Sequence, residues 1–379
     1  MSLLAIDVND AGVRAARSGD DQLLAVDGPH RSSPGFAVVH DDGRGRGRGQ
    51  KLVTGVAAAR EASLHPLQTN SRFWDQLDTE PVDDKNPRSA NRAEVAFAHL
   101  QNILTQVRWS GEDVVMAVPP FYEKRQLGIL AGIARELKLP LRGIVTRPIV
   151  LDTNTTPQTR SERVMIVDLA LHQSVLSIVD AGEKIALVQT HLCPDVGLFA
   201  IRRQWIKALA DEFVRTTRFD PLHQPATEQQ LNDQLSDVLD SLSERQSLPL
   251  ELKTGSHIHR VTLTNEMFAQ WGHGLCFRLC RDIQDVSASH HLTQILLTHE
   301  AGQICGLARM VQQQTGIPVR PLRAGAAAFG LLRFWPHRFD QTASPAIAYH
   351  TSREADGELK DPNPPPSLSE GLGEGGAFR

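Results

Sequence analysis

The sequence lacks the features that mark secreted, membrane-spanning or strongly basic proteins. Its four cysteines have neither the spacing of a metal site nor that of a disulfide framework, which fits a reducing compartment. No apolar run reaches the roughly 18 residues that a membrane-spanning helix needs, and no basic segment precedes the short apolar run at the N-terminus. The formal net charge of −4 gives no general attraction to nucleic acid or anionic membranes. We therefore expect a cytoplasmic protein without nucleic-acid or membrane partners.

Several catalytic and metal-binding motifs are also absent. The chain has no Walker A loop, no nucleophile elbow and no paired-carboxylate hydrolase pattern. It has 15 histidines, but the clustered ones lack the spacing and convergence of a zinc site. The clustered histidines are His257, His259, His290, His291 and His299. We expect them to be surface residues or to be satisfied by hydrogen bonds.

Two segments have a biased composition. Arg44, Arg46 and Arg48 alternate with glycine between two predicted strands. This pattern indicates a solvated hairpin tip, and contact with an anion or RNA is the alternative. Residues 345–379 are rich in proline, glycine and acidic residues, which predicts a disordered tail. A short partner-binding motif within the tail is the alternative.

Two distant stretches of the chain share one pattern. LLAIDVNDAGVRAARSGDDQLLAVDG begins at Leu3, and VMIVDLALHQSVLSIVDAGEKIALVQT begins at Val164. Each has an apolar run ending in an aspartate (Asp7 or Asp168), then a turn and two further strands. If the two units face each other, the carboxylates converge, and Mg²⁺ binds through one or two carboxylates together with substrate phosphates. The alternative is that both aspartates merely begin turns, and the repeat alone leaves both interpretations open.

The remaining pattern alternates strands with helices, which predicts partly parallel sheets. Helices are predicted at 56–64, 93–107, 123–137, 198–216, 227–245, 265–283, 302–314 and 324–334. Strands are predicted at 36–40, 114–118, 141–145, 248–252, 259–264, 295–299 and 317–322. Gly316 marks the end of the 302–314 helix. We divide the chain into a first lobe (1–160), a second lobe (161–344) with a helical and hairpin tip at about 220–285, and the tail.

The order of these segments resembles a known family. The motifs that carry the resemblance are AIDVNDA, VVMAVPPFYEKRQLGILAGIARELKLPLRGIVTRP, VMIVDLALHQSVLSIVD, RVTLTNEMFAQW and ILLTHEAGQICGLARMV. Over nearly all of residues 1–340 they resemble the nucleotide-binding domain of DnaK-type heat-shock-70 chaperones, in the actin-like ATPase superfamily. The resemblance implies an α/β fold of two actin-like lobes, with duplicated βββαβα units around a central cleft.

The resemblance also implies where a nucleotide would bind. Asp7 and Asp168 match the two aspartates that act in catalysis and hold Mg²⁺ through water. Other positions match the phosphate loops, the connecting stretch and the adenosine site. These are Asn9, Asp10, Ala11, Arg147, His172, Gln173, His299, Glu300 and Gln303.

The sequence departs from the family at most of these positions. Asp10 places a negative charge where the first loop should meet phosphate. In the second loop, the stretch after Asp168 (residues 169–174) has side chains with Cβ atoms where the family has three glycines that let backbone approach a phosphate. Arg147 stands where the family has a catalytic Glu, and the family's catalytic Lys has no counterpart within residues 70–75. Because phosphoryl transfer depends on positioning and electrostatic stabilisation, these changes predict the loss of useful hydrolysis.

Three functional hypotheses follow from these departures. The first is a heat-shock-70-like pseudo-ATPase that binds a protein partner as a scaffold or chaperone-like module, without a cofactor and without the family's substrate-binding domain. The second is a divergent ATPase that uses Mg-ATP in the interlobe cleft through Asp7 and Asp168. The third is a sensor for another phosphorylated or nucleotide ligand, contacted by Arg147, His172 and Gln303. The sequence does not name the partner.

Overall fold

The computed structural model describes a mixed α/β protein, in agreement with the predicted class. It describes residues 2–41, 50–82, 89–151, 162–181, 184–335, 348–350 and 352–354. In chain order the strands are β1 (Leu3–Asp7), β2 (Arg14–Arg17), β3 (Ala37–Asp41), β4 (Gln50–Thr54), β5 (Thr69–Asn70), β6 (Asp113–Val118), β7 (Leu141–Thr146), β8 (Glu162–Leu169), β9 (Gln173–Ala181), β10 (Lys184–Pro194), β11 (Ser247–Thr254), β12 (His257–Thr264), β13 (Leu292–Leu297), β14 (Val319–Pro321), β15 (Ala348–His350) and β16 (Ser352–Glu354). The α-helices are α1 (Val56–Ala59), α2 (Arg92–Gln106), α3 (Lys124–Glu136), α4 (Arg147–Val150), α5 (Leu198–Thr217), α6 (Pro225–Glu244), α7 (Asn265–Ala288), α8 (His299–Gly302), α9 (Leu307–Thr315) and α10 (Ala326–Phe334).

Two large sheets organise the chain. The first has the strand order β15-β7-β6-β1-β2, and the second has the order β14-β13-β8-β9-β10-β16. In the first sheet β1 pairs parallel with β6 and antiparallel with β2. In the second sheet β8 occupies the corresponding position, parallel to β13 and antiparallel to β9. The predicted strand–helix–strand units are therefore present in both sheets.

An apolar cluster joins the two sheets. Successive strand residues point to opposite faces, so in β1 Leu4 and Ile6 face one hydrophobic cluster, and Leu3 and Ala5 face another. The second of these clusters also contains β8 residues, together with residues of α4 and α10. The contact between α4 and α10 is close, because a Cβ at Gly330 would lie 1.8 Å from the backbone oxygen of Val150. The shared cluster therefore fixes how the two central strands are placed relative to each other.

The repeat is less regular than the sequence predicts. The second unit forms three strands, β8 to β10, but in the first unit no strand forms after β2. Leu24 donates a single backbone hydrogen bond to Ala15, and then Val26 and Asp27 both donate to His30 in a local turn. The turn uses the backbone groups that a third strand would pair. The prediction of a complete three-stranded meander in the first unit is therefore wrong.

Most predicted helices are confirmed to within a few residues, and two are not. The helix predicted at 56–64 ends at Ala59, and residues 61–65 form turns before Pro66, which cannot continue a helix. The helix predicted at 302–314 is divided into α8 and α9, because Gly306 has φ of +81°, a left-handed conformation that interrupts a helix. Gly316, also left-handed, ends α9 as predicted.

The C-terminal prediction needs correction. Residues 348–350 form β15 against β7, and residues 352–354 form β16 against β10. This short segment therefore belongs to both large sheets, and the expectation of disorder from residue 345 is wrong there. The other residues of 345–379, and the Arg-Gly segment 42–49, lie outside the described residues. Within the described part, no helix has both the length and the apolar character that a bilayer crossing demands.

Candidate functional site

The equivalent turns of the two sheets bring Asp7 and Asp168 to one place. Asp7 is the last residue of β1, and Asp168 lies next to the end of β8. Arg147 follows β7 directly, as the first residue of α4, and Pro148 fixes the start of this helix. The guanidinium of Arg147 lies between the two carboxylates. The convergence expected from the repeat is therefore present, with a cation of the chain at its centre.

Arg147 donates hydrogen bonds to both carboxylates. Its Nε lies 2.6 Å from Asp7 Oδ1, its Nη2 lies 3.2 Å from Asp7 Oδ2, and its Nη1 donates to Asp168 Oδ2. Asn9 Nδ2 donates to the other oxygen of Asp168, at 3.4 Å. Such charge-assisted, forked contacts are the strongest that an arginine makes with carboxylates. All four side chains are buried.

A second buried ion pair lies beside the first. Arg14 in β2 contacts Glu300 in α8 at 2.5 Å, and both side chains are less than a tenth exposed. We call the five charged residues Asp7, Arg14, Arg147, Asp168 and Glu300 the charge cluster. Sequence reasoning missed Arg14, although an arginine flanked by the buried apolar residues Val13, Ala15 and Ala16 signals a buried partner.

Burial acts to raise the pKa values of two acidic residues in the charge cluster, and the neighbouring arginines act to lower them. Burial raises the pKa of Asp7, and the neighbouring Arg147 and Arg14 guanidiniums offset part of this effect. Burial also opposes ionisation of Glu300, but the same two guanidiniums bring its pKa below the usual value. Although burial disfavours its charged form, the carboxylates of Asp168, Asp7 and Glu300 raise the pKa of Arg147. Arg147 is therefore a permanent cation in this site.

Asp10 connects the first turns of the two sheets. Its Oδ1 accepts a hydrogen bond of 2.7 Å from the backbone N–H of Leu171, while its Oδ2 is buried and has no hydrogen-bond partner among the described residues. Burial raises the pKa of Asp10 to about 7, and the negative charges of Asp75 and Asp168 act in the same direction. The acidic side chain predicted here therefore accepts the hydrogen bond of a backbone donor of the second turn, and it is ionised only above about pH 7.

His172 and Gln173 face the segment 71–75 and not the charge cluster. His172 Nε2 lies 3.0 Å from Ser71 Oγ and 2.9 Å from the Ser71 carbonyl oxygen. Gln173 Nε2 donates to Asp75 Oδ1 at 2.8 Å. Burial lowers the pKa of His172, and the charge of Arg72 lowers it further. These side chains therefore tie the second turn to the first sheet's half of the molecule.

Two cavities lie near these residues, and they differ greatly in size. The first, beside the charge cluster, has a volume of about 10 Å³. It is lined by Asp7, Arg14, Leu151, Arg147, Thr298, His299, Glu300, Leu322, Arg323, Gly325, Ala326 and Ala327. The second has a volume of about 510 Å³, and we call it the side pocket. It is lined by Leu239, Asp240, Asn265, Glu266, Ala269, Gly302, Gln303, Ile304, Cys305, Gly306, Ala308 and Arg309.

The structure brings together only some of the residues that the resemblance assigns to a nucleotide site. Asn9 and Arg147 contact the two predicted metal ligands, and His299 and Glu300 line the small cavity with Asp7. Gln303 lies instead in the side pocket, where its Nε2 donates to Asp240 at 3.3 Å. Ala11 contributes a backbone N–H, which donates to the Asn9 side chain.

A comparison with known protein families finds none whose profile matches the chain.

Proposed function

We propose that the chain is a heat-shock-70-like pseudo-ATPase that serves as a protein-binding scaffold. In this proposal two actin-like lobes, residues 1–160 and 161–344, enclose a cleft that the chain's own side chains fill. The observation that carries the proposal is the Arg147 guanidinium, which donates to Asp7 and Asp168 at once. The carboxylates that the resemblance assigns to Mg²⁺ are already paired with a cation of the chain.

The space and the charge at this point both disfavour a metal ion. Mg²⁺ requires octahedral coordination and keeps several of its waters, whereas the cavity beside Asp7 measures about 10 Å³, room for about one water molecule. A divalent cation would also face the guanidiniums of Arg147 and Arg14 at close range. Moving Arg147 aside would leave buried charges without partners, which costs about 3–5 kcal/mol.

The backbone donors expected to bind phosphate are occupied too. The N–H of Leu171 donates to Asp10, the N–H of Ala11 donates to Asn9, and the N–H of Ala170 donates to the Gln173 carbonyl oxygen. A phosphate would have to displace these acceptors, one of which is a carboxylate. Because like charges repel strongly in a buried site, Asp10 opposes that exchange.

Further contacts join the half of the molecule that contains the first large sheet to the half that contains the second. They support a scaffold whose shape does not depend on a nucleotide. Gln229 in α6 accepts a hydrogen bond from the Ser63 N–H and donates one to the Ala59 carbonyl oxygen. Asn232 in the same helix donates to Ser63 Oγ at 3.2 Å. With the His172–Ser71 contact, these bonds join the halves at points away from the charge cluster. A fixed arrangement of this kind suits recognition of a protein partner.

Calorimetric titration with Mg-ATP, together with a phosphate-release assay, tests this proposal. We expect no binding heat and no release above buffer for the wild-type chain. Asp168→Ala separates true turnover from contamination, because only turnover at this site would disappear with the carboxylate. Micromolar affinity combined with release that Asp168→Ala abolishes would overturn the pseudo-ATPase proposal.

The side pocket favours a second candidate, a nucleotide-binding protein and divergent ATPase. Its volume of about 510 Å³ lies within the range of about 300–1,000 Å³ that small-molecule sites have. The resemblance places the family's adenosine-site strand and helix along this pocket. Titration with adenosine and with ATP tests this second candidate. The variant Ala269→Phe, which fills the side pocket, shows whether the ligand binds there. Binding that Ala269→Phe removes, together with phosphate release that Asp168→Ala abolishes, would favour the divergent ATPase. The same binding without phosphate release would favour a nucleotide-binding protein without hydrolysis.

A further inference from the structure

Three metal-ligating side chains meet beside β3, the central strand of the three-stranded sheet β4-β3-β5. They are His40 in β3, and Glu61 and His65 in the turn that follows α1. One ligand atom from each of the three lies within 4.8 Å of those from the other two. In the part of the chain that the structure describes, no other group of three such residues meets this criterion.

The local backbone explains why Glu61 and His65 approach each other. The N–H of His65 donates to the Glu61 carbonyl oxygen at 2.9 Å, which closes a single helical turn. Residues four positions apart in such a turn lie on the same side of it. Pro66 then ends the turn, so these two side chains are presented together to β3.

His40 completes the group from the sheet. Its Nε2 lies 2.8 Å from Glu61 Oε2, and the His40 and His65 rings meet edge to face with centroids 5.1 Å apart. The side chains of His40 and Glu61 are 27% and 37% exposed, so solvent reaches them. A metal ion therefore has an entry path and room for a water ligand.

Two imidazoles and one carboxylate form a donor set that suits Zn²⁺. Zinc binds such nitrogen and oxygen atoms at about 2.0–2.2 Å, and tetrahedral geometry places them about 3.3–3.5 Å apart. The distances between the ligand atoms of His40, Glu61 and His65 range from 2.8 Å to at most 4.8 Å, so they lie on both sides of that range. Small side-chain rotations therefore bring all three atoms to one ion. Three protein ligands leave the fourth position to water.

We propose that His40, Glu61 and His65 form a Zn²⁺-binding site. The site is separate from the charge cluster and does not depend on the pseudo-ATPase proposal. It also has a structural consequence, because Ser63, between the two ligands of the turn, accepts and donates the hydrogen bonds that reach α6. Zinc would hold this turn in place and thereby support the contact between the halves.

Titration of the full chain with ZnCl₂ in calorimetry tests the site. We expect one Zn²⁺ per chain with micromolar affinity, and a rise in melting temperature because the ion binds only the folded state. His40→Ala and His65→Ala should each weaken binding by at least about tenfold, since even residues that merely support ligands change affinity by about 10–100-fold. Glu61→Gln keeps a hydrogen-bond acceptor for His40 but removes the carboxylate, and it should weaken binding comparably.

Two control variants make the result specific. His291→Ala removes an exposed histidine elsewhere, and Cys305→Ser removes the thiol of the side pocket. Both should bind zinc as the wild type does. Co²⁺ in place of zinc supplies a spectroscopic signature of nitrogen and oxygen coordination. Absence of stoichiometric binding, or an equal loss of affinity in either control, would overturn the proposal.

Discussion

The short helix α8 contributes to two regions that are built in opposite ways. Glu300 and His299 belong to the charge cluster and its cavity of about 10 Å³, whereas Gly302 lines the side pocket of about 510 Å³. In the first region every charged group has an oppositely charged neighbour, and the space is filled. In the second, space remains and the polar groups are partly exposed. The molecule therefore leaves space between exposed polar groups and fills the place where buried charges meet.

This contrast bears on the proposed function, because the filled region contains the two carboxylates to which the resemblance assigns catalysis. A buried ion pair adds little net stability, since desolvation offsets most of the Coulomb attraction, but breaking it is costly. The charge cluster should therefore respond strongly to the loss of one partner, and the side pocket should tolerate substitution. The four predictions below test that difference.

Arg147→Met should give the largest effect. Without the guanidinium, Asp7 and Asp168 remain buried and close to each other, and breaking such a pair costs about 3–5 kcal/mol. Urea denaturation followed by circular dichroism measures this loss. Arg142→Met is the matched control, because Arg142 pairs with Asp113 but is half exposed, and exposed pairs contribute at most about 1 kcal/mol.

A triple variant sharpens the first prediction. Adding Asp7→Asn and Asp168→Asn to Arg147→Met removes the unpaired charges and should recover part of the lost stability. If the triple variant is no more stable than Arg147→Met, the loss comes from packing and not from charge. Equal losses in Arg147→Met and Arg142→Met would contradict the distinction between buried and exposed pairs.

The centre of the charge cluster was only partly predictable from sequence. The repeat makes convergence of Asp7 and Asp168 one of two open interpretations, and the resemblance implies a reversed charge at Arg147. The apolar cluster between the sheets sets the distance between Asp7 and Asp168. This distance, which allows one guanidinium to contact both carboxylates, could not be predicted from sequence. Arg14 and Glu300 lie far apart in sequence, so only the fold reveals them as a pair.

Asp10→Asn should change the pH dependence of stability. Burial raises the pKa of Asp10 to about 7, so the folded chain holds this proton more tightly than the unfolded chain. The contribution is fully present below about pH 4 and is lost as the pH rises to about 7. Asparagine keeps an oxygen for the Leu171 N–H but carries no charge. The variant should therefore be more stable than the wild type by about 2–4 kcal/mol near pH 8, and close to it near pH 4.

Urea denaturation at a series of pH values provides the measurement. Asp20→Asn is the matched control, because it makes the same chemical change at an exposed position on the same half of the molecule. A difference between Asp10→Asn and wild type that does not vary with pH would contradict the assignment of the titration to Asp10.

Gly197→Ala should have an intermediate effect. A Cβ at this position would lie 2.4 Å from the His172 carbonyl carbon and 2.5 Å from the Leu171 oxygen, both of them backbone atoms. Because backbone atoms cannot rotate away, we expect a loss of about 1–3 kcal/mol in thermal or urea denaturation. Gly274→Ala in α7 meets no atom within 4 Å and should instead stabilise the helix by about 0.5–1 kcal/mol. A stable Gly197→Ala variant would mean that the second turn is free to move.

The start of α2 and the missing third strand of the first unit show which structural features the local sequence determines. The Asn91 and Glu94 capping box begins α2 where the pattern predicts, because both hydrogen bonds lie within one turn. The third strand of the first unit fails because Val26 and Asp27 bond to His30 instead. Apolar alternation does not reveal that competition. A helix start that depends on neighbouring residues could therefore be predicted from sequence. Whether a backbone group bonds within a turn or to a neighbouring strand could not.

The smallest effects are expected from two glutamines, one buried at the contact between α6 and residues 59–63 and one exposed in the side pocket. Gln229 is 4% exposed and bonds to Ser63 and Ala59 across the halves, so Gln229→Ala should cost about 1–2 kcal/mol. Gln303 makes one exposed bond to Asp240 in the side pocket, and Gln303→Ala should change stability by less than about 0.5 kcal/mol. Paired urea titrations resolve the difference. If Gln303→Ala proves the more costly substitution, the side pocket is held together by polar contacts, and the division between a filled and an open region fails.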